Sequence, residues 1–343
     1  MSAAPRRRRR RHPVGRFFAF LGVTLLCLVI ILFGVVWVLE RGPSPTVTAM
    51  FTRSLRETSA IKWVADIFLT AEEIEQYKSV STEDQSTEAV NTSLIHIAEG
   101  TGKEEEAVRL IDIAEGTAKG KLLIVRDPKR VILGTSENYG SEPGLLMTEM
   151  TAKYNALAGI NAGGFYDENG SGNGGTPEGL VIANGQLLFG NAGYTYHVVG
   201  LDSEGILHVG AMSGQQALDQ GIVWAVSFVT YDGLASSLII NGEIQRQNLG
   251  GGVNPRTAIG QRDDGAILLL VMDGRSISTL GASMEDVANI LLSYGAVNAG
   301  NLDGGSSSVM VYEGEIINHC ASVVGPRRVP TGFLVLREGA ENG

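Results

Sequence analysis

From Phe17 to Leu39 the chain runs 23 residues without a charge, and Thr24 is its only clearly polar side chain. Nothing else in the sequence limits folding as strongly, because such a segment must end in a core or in lipid. As a helix it would be about 34 Å long, enough to cross a hydrocarbon layer of about 30 Å. A buried core helix rarely stays uncharged for that distance. A cleaved signal peptide would have a shorter apolar stretch closed by a small-x-small site, whereas Glu40-Arg41 closes this one. Six consecutive arginines at 6–11, and Arg16, precede the run. The expectation is a single uncleaved membrane anchor at 17–39, with a basic tail (1–16) in the cytoplasm and the bulk of the chain outside the cell membrane.

The charge balance agrees. Residues 1–16 hold seven of the 27 basic residues and no acidic ones, so the remainder sets 20 basic against 37 acidic residues, a formal charge of −17. That surface disfavours nucleic acid as a partner, and the arginine run beside the span is better explained by membrane orientation. Of the two cysteines, Cys27 lies in the span and Cys320 near the C-terminus, so no disulfide can form within the outer domain. Its stability must come from its core, and the length beyond residue 90 permits one.

Residues 40–93 read as a stalk and polar linker. Within them Met50–Tyr77 is compatible with a helix, and 79–93 is rich in Ser, Thr and Glu without apolar periodicity. The folded domain is expected over 94–337, followed by a short tail (338–343). The segment Ile95–Lys103 is echoed at Ile111–Lys119, either as two similar strand-and-turn units or by chance; two copies are too few for a solenoid. Short β-branched or apolar runs bounded by Gly, Asn or Asp predict strands at 122–125, 131–133, 179–182, 197–199, 222–229, 237–240, 266–272, 308–311 and 332–336. Helices are expected at 142–157, 213–220 and 283–294, the last opened by Ser283 with Asp286 three residues on. The pattern predicts an α+β fold, one strand-rich domain on a mixed β-sheet with interspersed helices.

Polar and glycine-rich signals gather at strand ends. In Asn298–Met310 an apolar run ends in Asp303, followed by Gly304, Gly305, Ser306, Ser307 and Ser308. Consecutive glycines can turn backbone N–H groups toward one point, and the serines add donors beside a carboxylate, a pattern suited to a phosphate or a sugar. On spacing alone an Asp-Gly hairpin turn is the better explanation. Asn161 stands before Gly163 and Gly164; Arg256-Thr257 enters a later strand; Asp273 ends a strongly apolar one. Each has an ordinary explanation as a capped turn, a solvated arginine or an Asp-Gly turn. Asp167, Asn169, Ser171 and Glu178 have the spacing of a calcium loop, but Pro177 and the strand-like flanks are wrong for one. The five histidines are scattered, and no Cys-x-x-Cys, Walker loop or Gly-x-Ser-x-Gly elbow occurs. No metal site or cofactor is expected.

Taken in order, Asn161-Ala-Gly-Gly-Phe-Tyr, Gly175-Thr-Pro-Glu-Gly-Leu-Val-Ile, Asn254-Pro-Arg-Thr-Ala-Ile-Gly, Asp273-Gly-Arg and Asn301-Leu-Asp-Gly-Gly-Ser-Ser resemble the phosphodiester glycosidase family, from about residue 95 to 336. Some bacterial members are described as exopolysaccharide biosynthesis proteins. The resemblance implies hydrolysis of the bond between a sugar's anomeric carbon and a phosphodiester oxygen, without a cofactor. It implies Asp303 as nucleophile or base and Asp273 as its partner. Asn161, Gly163, Gly164, Arg256, Thr257, Gly304, Gly305, Ser306, Ser307 and Arg328 would line the substrate site. Ser306 stands where that family often has glycine. The implied substrate is a sugar-1-phosphodiester of N-acetylglucosamine or a similar sugar, in an envelope or capsular polymer. A non-catalytic module that binds anionic envelope polysaccharide, or a transferase using the same site, remains as an alternative.

Overall fold

The computed structural model describes residues 13–57, 61–77, 89–97, 107–167, 172–229, 235–246, 249–274, 279–320 and 325–339. The apolar run lies in one helix, α1 (Pro13–Arg41), long and apolar enough to cross a membrane and exposed over most of its length. Three short helices follow: α2 (Pro45–Arg56), α3 (Trp63–Phe68) and α4 (Ala71–Gln76). The single helix compatible with 50–77 is thus three pieces, and Thr70 restarts the chain with a reciprocal cap to Glu73. These pieces bury Leu55, Ala65, Leu69 and Ile74 against one another in a small core of their own.

The domain after these helices is strand-rich, as its short runs predicted, and among the described residues its strands form three sheets in which every pairing is antiparallel. In the first sheet β1 (Val108–Glu115), β2 (Ala118–Val125), β13 (Ile267–Met272), β12 (Arg256–Arg262), β14 (Ala296–Asn301), β10 (Ser237–Ile240) and β11 (Glu243–Ile244) lie in that order. The second is β16 (Glu315–Ile316), β15 (Met310–Tyr312), β4 (Ala156–Asn161), β17 (Thr331–Leu336) and β3 (Val131–Thr135). The third is β6 (Gln186–Phe189), β5 (Val181–Ala183), β9 (Ile222–Ser227), β7 (Thr195–Asp202) and β8 (Leu207–Ser213). An antiparallel arrangement needs only short connections, which suits a glycine-rich chain with few helices.

Strand β13 shows how the sheets are held. Its six apolar residues alternate faces: Ile267, Leu269 and Val271 enter the central core shared by all three sheets, while Leu268, Leu270 and Met272 pack under α7 (Met284–Ser293). A strand buried on both faces reads as one continuous apolar run. The third sheet has its own outer helix, α6 (Gly214–Asp219), over Leu180, Ile182 and Val198. At Gly300, near the end of β14, a Cβ would fall within 3 Å of the Val199 side chain, so glycine lets the first sheet close on the third.

The helix expected over 142–157 is shorter. Only α5 (Met147–Lys153) forms; Leu145 instead bridges to Val329, and Asn155 turns left-handed (φ +47°) before β4 begins at Ala156. Pro143-Gly144 explains the late start, since neither residue favours a helix interior. Strands β4, β6, β8 and β14 have no counterpart among the short runs read as strands, and β12 is signalled only by the arginine at its entry. In β12 the reason is plain: Thr257 and Gln261 are fully buried, and the Gln261 side chain bonds Leu207 N, Gly205 O and Gly265 O, so apolar periodicity is broken at buried positions. The second half of the sequence echo is the β1–β2 hairpin; most of the first half lies outside the described residues.

Candidate active site

Strands β4, β12, β14 and β17 come together near Asp303. Asn161, the last residue of β4, is fully buried, and its amide works as a staple. Its Nδ2 donates to the Asp303 carbonyl (2.6 Å), while its Oδ1 accepts from Thr257 Oγ1 (2.9 Å) and from Val309 N (3.1 Å). The Asp303 N–H donates to Ala162 O, Leu302 N to Thr257 O, and Gly163 N to Thr331 Oγ1. Three strand ends are therefore bolted to one loop. Asn161 and Thr257 stand behind that loop, with their polar atoms spent on protein.

The loop is tight. The Gly305 N–H donates to Pro255 O, and Gly305 has φ +63°, a conformation that favours glycine. A Cβ on Gly304 would meet Pro255 O at 2.9 Å, so glycine there lets the loop lie against the entry to β12. Residues 305–307 form a single 3₁₀ turn. The loop thus delivers Asp303 and its serines with little freedom, but the Gly305 amide is committed and does not face a ligand.

Asp303 differs from the other carboxylates. Part of the residue reaches solvent, yet its Oδ2 is sealed and has no hydrogen-bond partner among the described residues. Burial pushes its carboxyl up to about 7; a hydrogen bond with Ser307 and the Arg327 guanidinium pull it down, and Asp167 and Glu178 add to the rise. Asn301 Oδ1 and Nδ2 and Ser308 Oγ are likewise buried without partners among the described residues. Orphaned polar atoms cost stability unless a ligand or water meets them, and three residues carrying them between 301 and 308 mark this loop as a candidate site.

Arg327 is the cation beside Asp303. Its guanidinium forks onto both Asp167 oxygens (2.9 and 2.8 Å), donates to Gly172 O, reaches Ser306 Oγ at 3.4 Å and stacks over the Phe165 ring, 5.2 Å from its centre. Glu178 is the other neighbouring acid. Its Oε2 lies 3.5 Å from where a Cβ of Gly164 would stand, and its carboxyl is raised by desolvation although the residue remains open to solvent on one side. Glu178, Asp167 and Arg327 all carried weaker signals in the sequence: a spacing suited to calcium, and an arginine next to Arg328. Part of the calcium-loop spacing lies outside the described residues, and Asp167 gives both oxygens to Arg327.

Three residues expected at the site are occupied elsewhere. Arg328 extends away from Arg327 and pairs with Glu149 on α5 and with Gly144 O. Asp273 directly follows β13 and accepts from His319 N (2.9 Å); burial raises its carboxyl, while His319, Lys121 and Lys119 oppose the rise. Arg256 lies beside Gly304, but its guanidinium is buried against Glu57, at 2.9 Å, and Gly252 O, at 2.6 Å.

The sequence profile described as phosphodiester glycosidase matches residues 154–336, and the chain belongs to that family. Among curated proteins it is 28% identical over 183 residues to N-acetylglucosamine-1-phosphodiester alpha-N-acetylglucosaminidase of Bos taurus, a match covering 46% of this chain and 33% of the bovine one. The Homo sapiens counterpart is 27% identical over 199 residues, covering 50% and 36%. The chain thus spans about a third of the length of these mammalian relatives. A SPbeta prophage-derived uncharacterized protein, YomE, of Bacillus subtilis is 46% identical over 66 residues, 19% of this chain and 10% of that one. The fold resembles the zebrafish catalytic domain of the same glucosaminidase, described as auto-inhibited by its pro-peptide, with a TM-score of 0.57 and 22% identity over 75% of this chain and 90% of that one.

Proposed function

We propose that this chain is a membrane-anchored phosphodiester glycosidase, with its N-terminus in the cytoplasm and its sheet domain outside, that hydrolyses sugar-1-phosphodiester linkages in an envelope polymer. The observation that carries this reading is the sealed Oδ2 of Asp303, without a partner among the described residues, and the guanidinium beside it. A carboxyl near pH 7 is matched to accept a proton from water at neutral pH, and general base catalysis works best in that range. Phosphate is a good leaving group, so less is asked of an acid than in ordinary glycoside cleavage, where two carboxylates flank the bond.

In this mechanism Asp303 activates water or attacks the anomeric carbon, and Arg327 with the Ser306 hydroxyl takes up charge on the departing phosphate. Glu178 takes the place of Asp273 as second carboxylate, because it acts on Asp303 electrostatically whereas Asp273 answers to His319 and two lysines. Membership of the family and relatives named for this chemistry support the reaction class. The test is sugar release from an N-acetylglucosamine 1-phosphodiester by the detergent-solubilised chain beside Asp303→Asn. Release by wild type that disappears in the variant is the expected result; equal release by both would remove Asp303 from the chemistry.

A further inference from the structure

The short helices between α1 and the sheet domain have two faces with different company. Their inner face holds the small core of Leu55, Ala65, Leu69 and Ile74. Their outer face leaves apolar side chains in the open: Val47 and Met50 on α2, Trp63 and Ile67 on α3, the last two 58% and 54% exposed. The spacings, three and four residues, put each pair on one face of its helix. That surface is continuous with the apolar helix. The Phe68 ring at the end of α3 lies 5.0 Å from the Phe33 ring, well inside the apolar run, and Arg41 Nε donates to Phe68 O at 2.7 Å. If α1 lies in a bilayer, α3 lies at the depth of its headgroups, where tryptophan is favoured.

The same helices grip the site. Ser54 Oγ accepts from Val253 N (3.0 Å), and the Glu57 carboxylate takes Gly252 N (3.3 Å), the Asn254 amide and the Arg256 guanidinium (2.9 Å). Gly251 and Gly252 leave room for this contact; a Cβ on either would collide with Glu57 or Ser54. Arg256 in turn lies against Gly304, next to Asp303. One helix of 12 residues, about 18 Å long, therefore joins the end of the membrane helix to the edge of the candidate site.

We propose that α2 and α3 rest in the membrane interface and hold the site over the bilayer, so that the envelope glycosyl phosphodiesters it cleaves are those carried on a membrane lipid. The occupant of the exposed apolar face is lipid, because that face continues the surface of α1. The phosphate of a lipid-borne sugar lies at headgroup level, the level at which α3 sits. The substrate class rests on the glycosidase reading above; the docking rests only on α1 entering a membrane.

The full chain, reconstituted in phosphatidylcholine–phosphatidylglycerol vesicles whose acyl chains carry bromine at a shallow or a deep carbon, tests the docking. Shallow bromines are expected to quench tryptophan emission in wild type, and Trp63→Phe to lose part of that quenching. Identical quenching in both proteins would overturn the docking and leave the face to a protein partner. In the same vesicles, kcat/KM is then compared for an N-acetylglucosamine phosphodiester bearing a long alkyl chain and for its water-soluble methyl analogue. The double variant Trp63→Ser/Ile67→Ser is expected to lose about tenfold or more on the lipid-borne substrate and to keep the soluble one within about twofold. Equal effects on the two substrates would overturn the substrate class. Failure of wild type to cleave either would sink the glycosidase reading and the substrate class with it, while the quenching still decides the docking.

Discussion

Asp303 and Asp273 start from nearly the same sequence and end in different chemistry. Each closes an apolar run in the first sheet, and each is followed by glycine. Asp273 has a defined partner, the His319 N–H, and two lysines acting on it. Asp303 has one oxygen sealed without a partner among the described residues and a guanidinium to one side; burial raises it to about 7, and two further acids add to the rise. A strand-end carboxylate that is satisfied serves the fold; one held unsatisfied by a rigid loop is available for a substrate. The same contrast separates neighbouring arginines. Arg327 turns to the Asp303 loop and Arg328 to Glu149 on α5, as successive side chains in an extended segment do.

The largest expected effect tests the first contrast directly. Asp303→Asn should lower kcat by about 10³-fold, within the span of general acid–base contributions. The same substitution should raise stability at alkaline pH. The folded carboxyl titrates at about 7 against an ordinary 3.8, so the native state holds the proton more tightly. Its stabilising contribution is full below about pH 4 and is lost as pH rises through 7. Asparagine removes that loss, a gain of about 1–4 kcal/mol at pH 8 and little at pH 4, measurable by denaturant melts at both values. A variant that is inactive and no more stable at pH 8 would mean that burial does not perturb this carboxyl.

Next in size is Arg327→Gln, expected to cost about 10–100-fold in kcat/KM through lost charge stabilisation at the phosphate. Removing a cation from beside Asp303 should also move the pH limb near 7 upward, because Arg327 holds that carboxyl down. A pH profile that keeps its midpoint would place Arg327 away from the reacting carboxylate. Asp273→Asn should change kcat by no more than about fivefold, since its carboxylate is engaged by His319 rather than by the site. A loss as large as that of Asp303→Asn would erase the contrast and restore the pair first expected from sequence. Smallest is Arg328→Ala. Its pair with Glu149 is about 41% exposed on both sides, so stability should fall by no more than about 1 kcal/mol and activity should hold within about twofold.

Several features were legible in the sequence because they depend on near neighbours alone. The uncharged run forced an apolar helix, Ser283 with Asp286 fixed the start of α7, and Ser237–Ile240 appears as the strand its residues describe. The ordered set of motifs pointed to the family whose profile matches residues 154–336. Other features depended on residues far apart in sequence. The polar atoms of Asn161 could have met a ligand or a scaffold, and only the arrival of Thr257, Asp303 and Val309 from three other segments decided for scaffold.

What the sequence determined by itself is therefore local chemistry: one apolar anchor-like helix, short strands separated by glycine turns, and carboxylates at the ends of apolar runs. What the tertiary structure decided is which charges meet. Glu178 acts electrostatically on Asp303 across 125 positions, Arg256 finds Glu57 across 199, and Asp273 is drawn to His319 across 46. A carboxylate's pKa and its partners are set by burial and by the charges packed around it, and neither is written in the residues on either side of it.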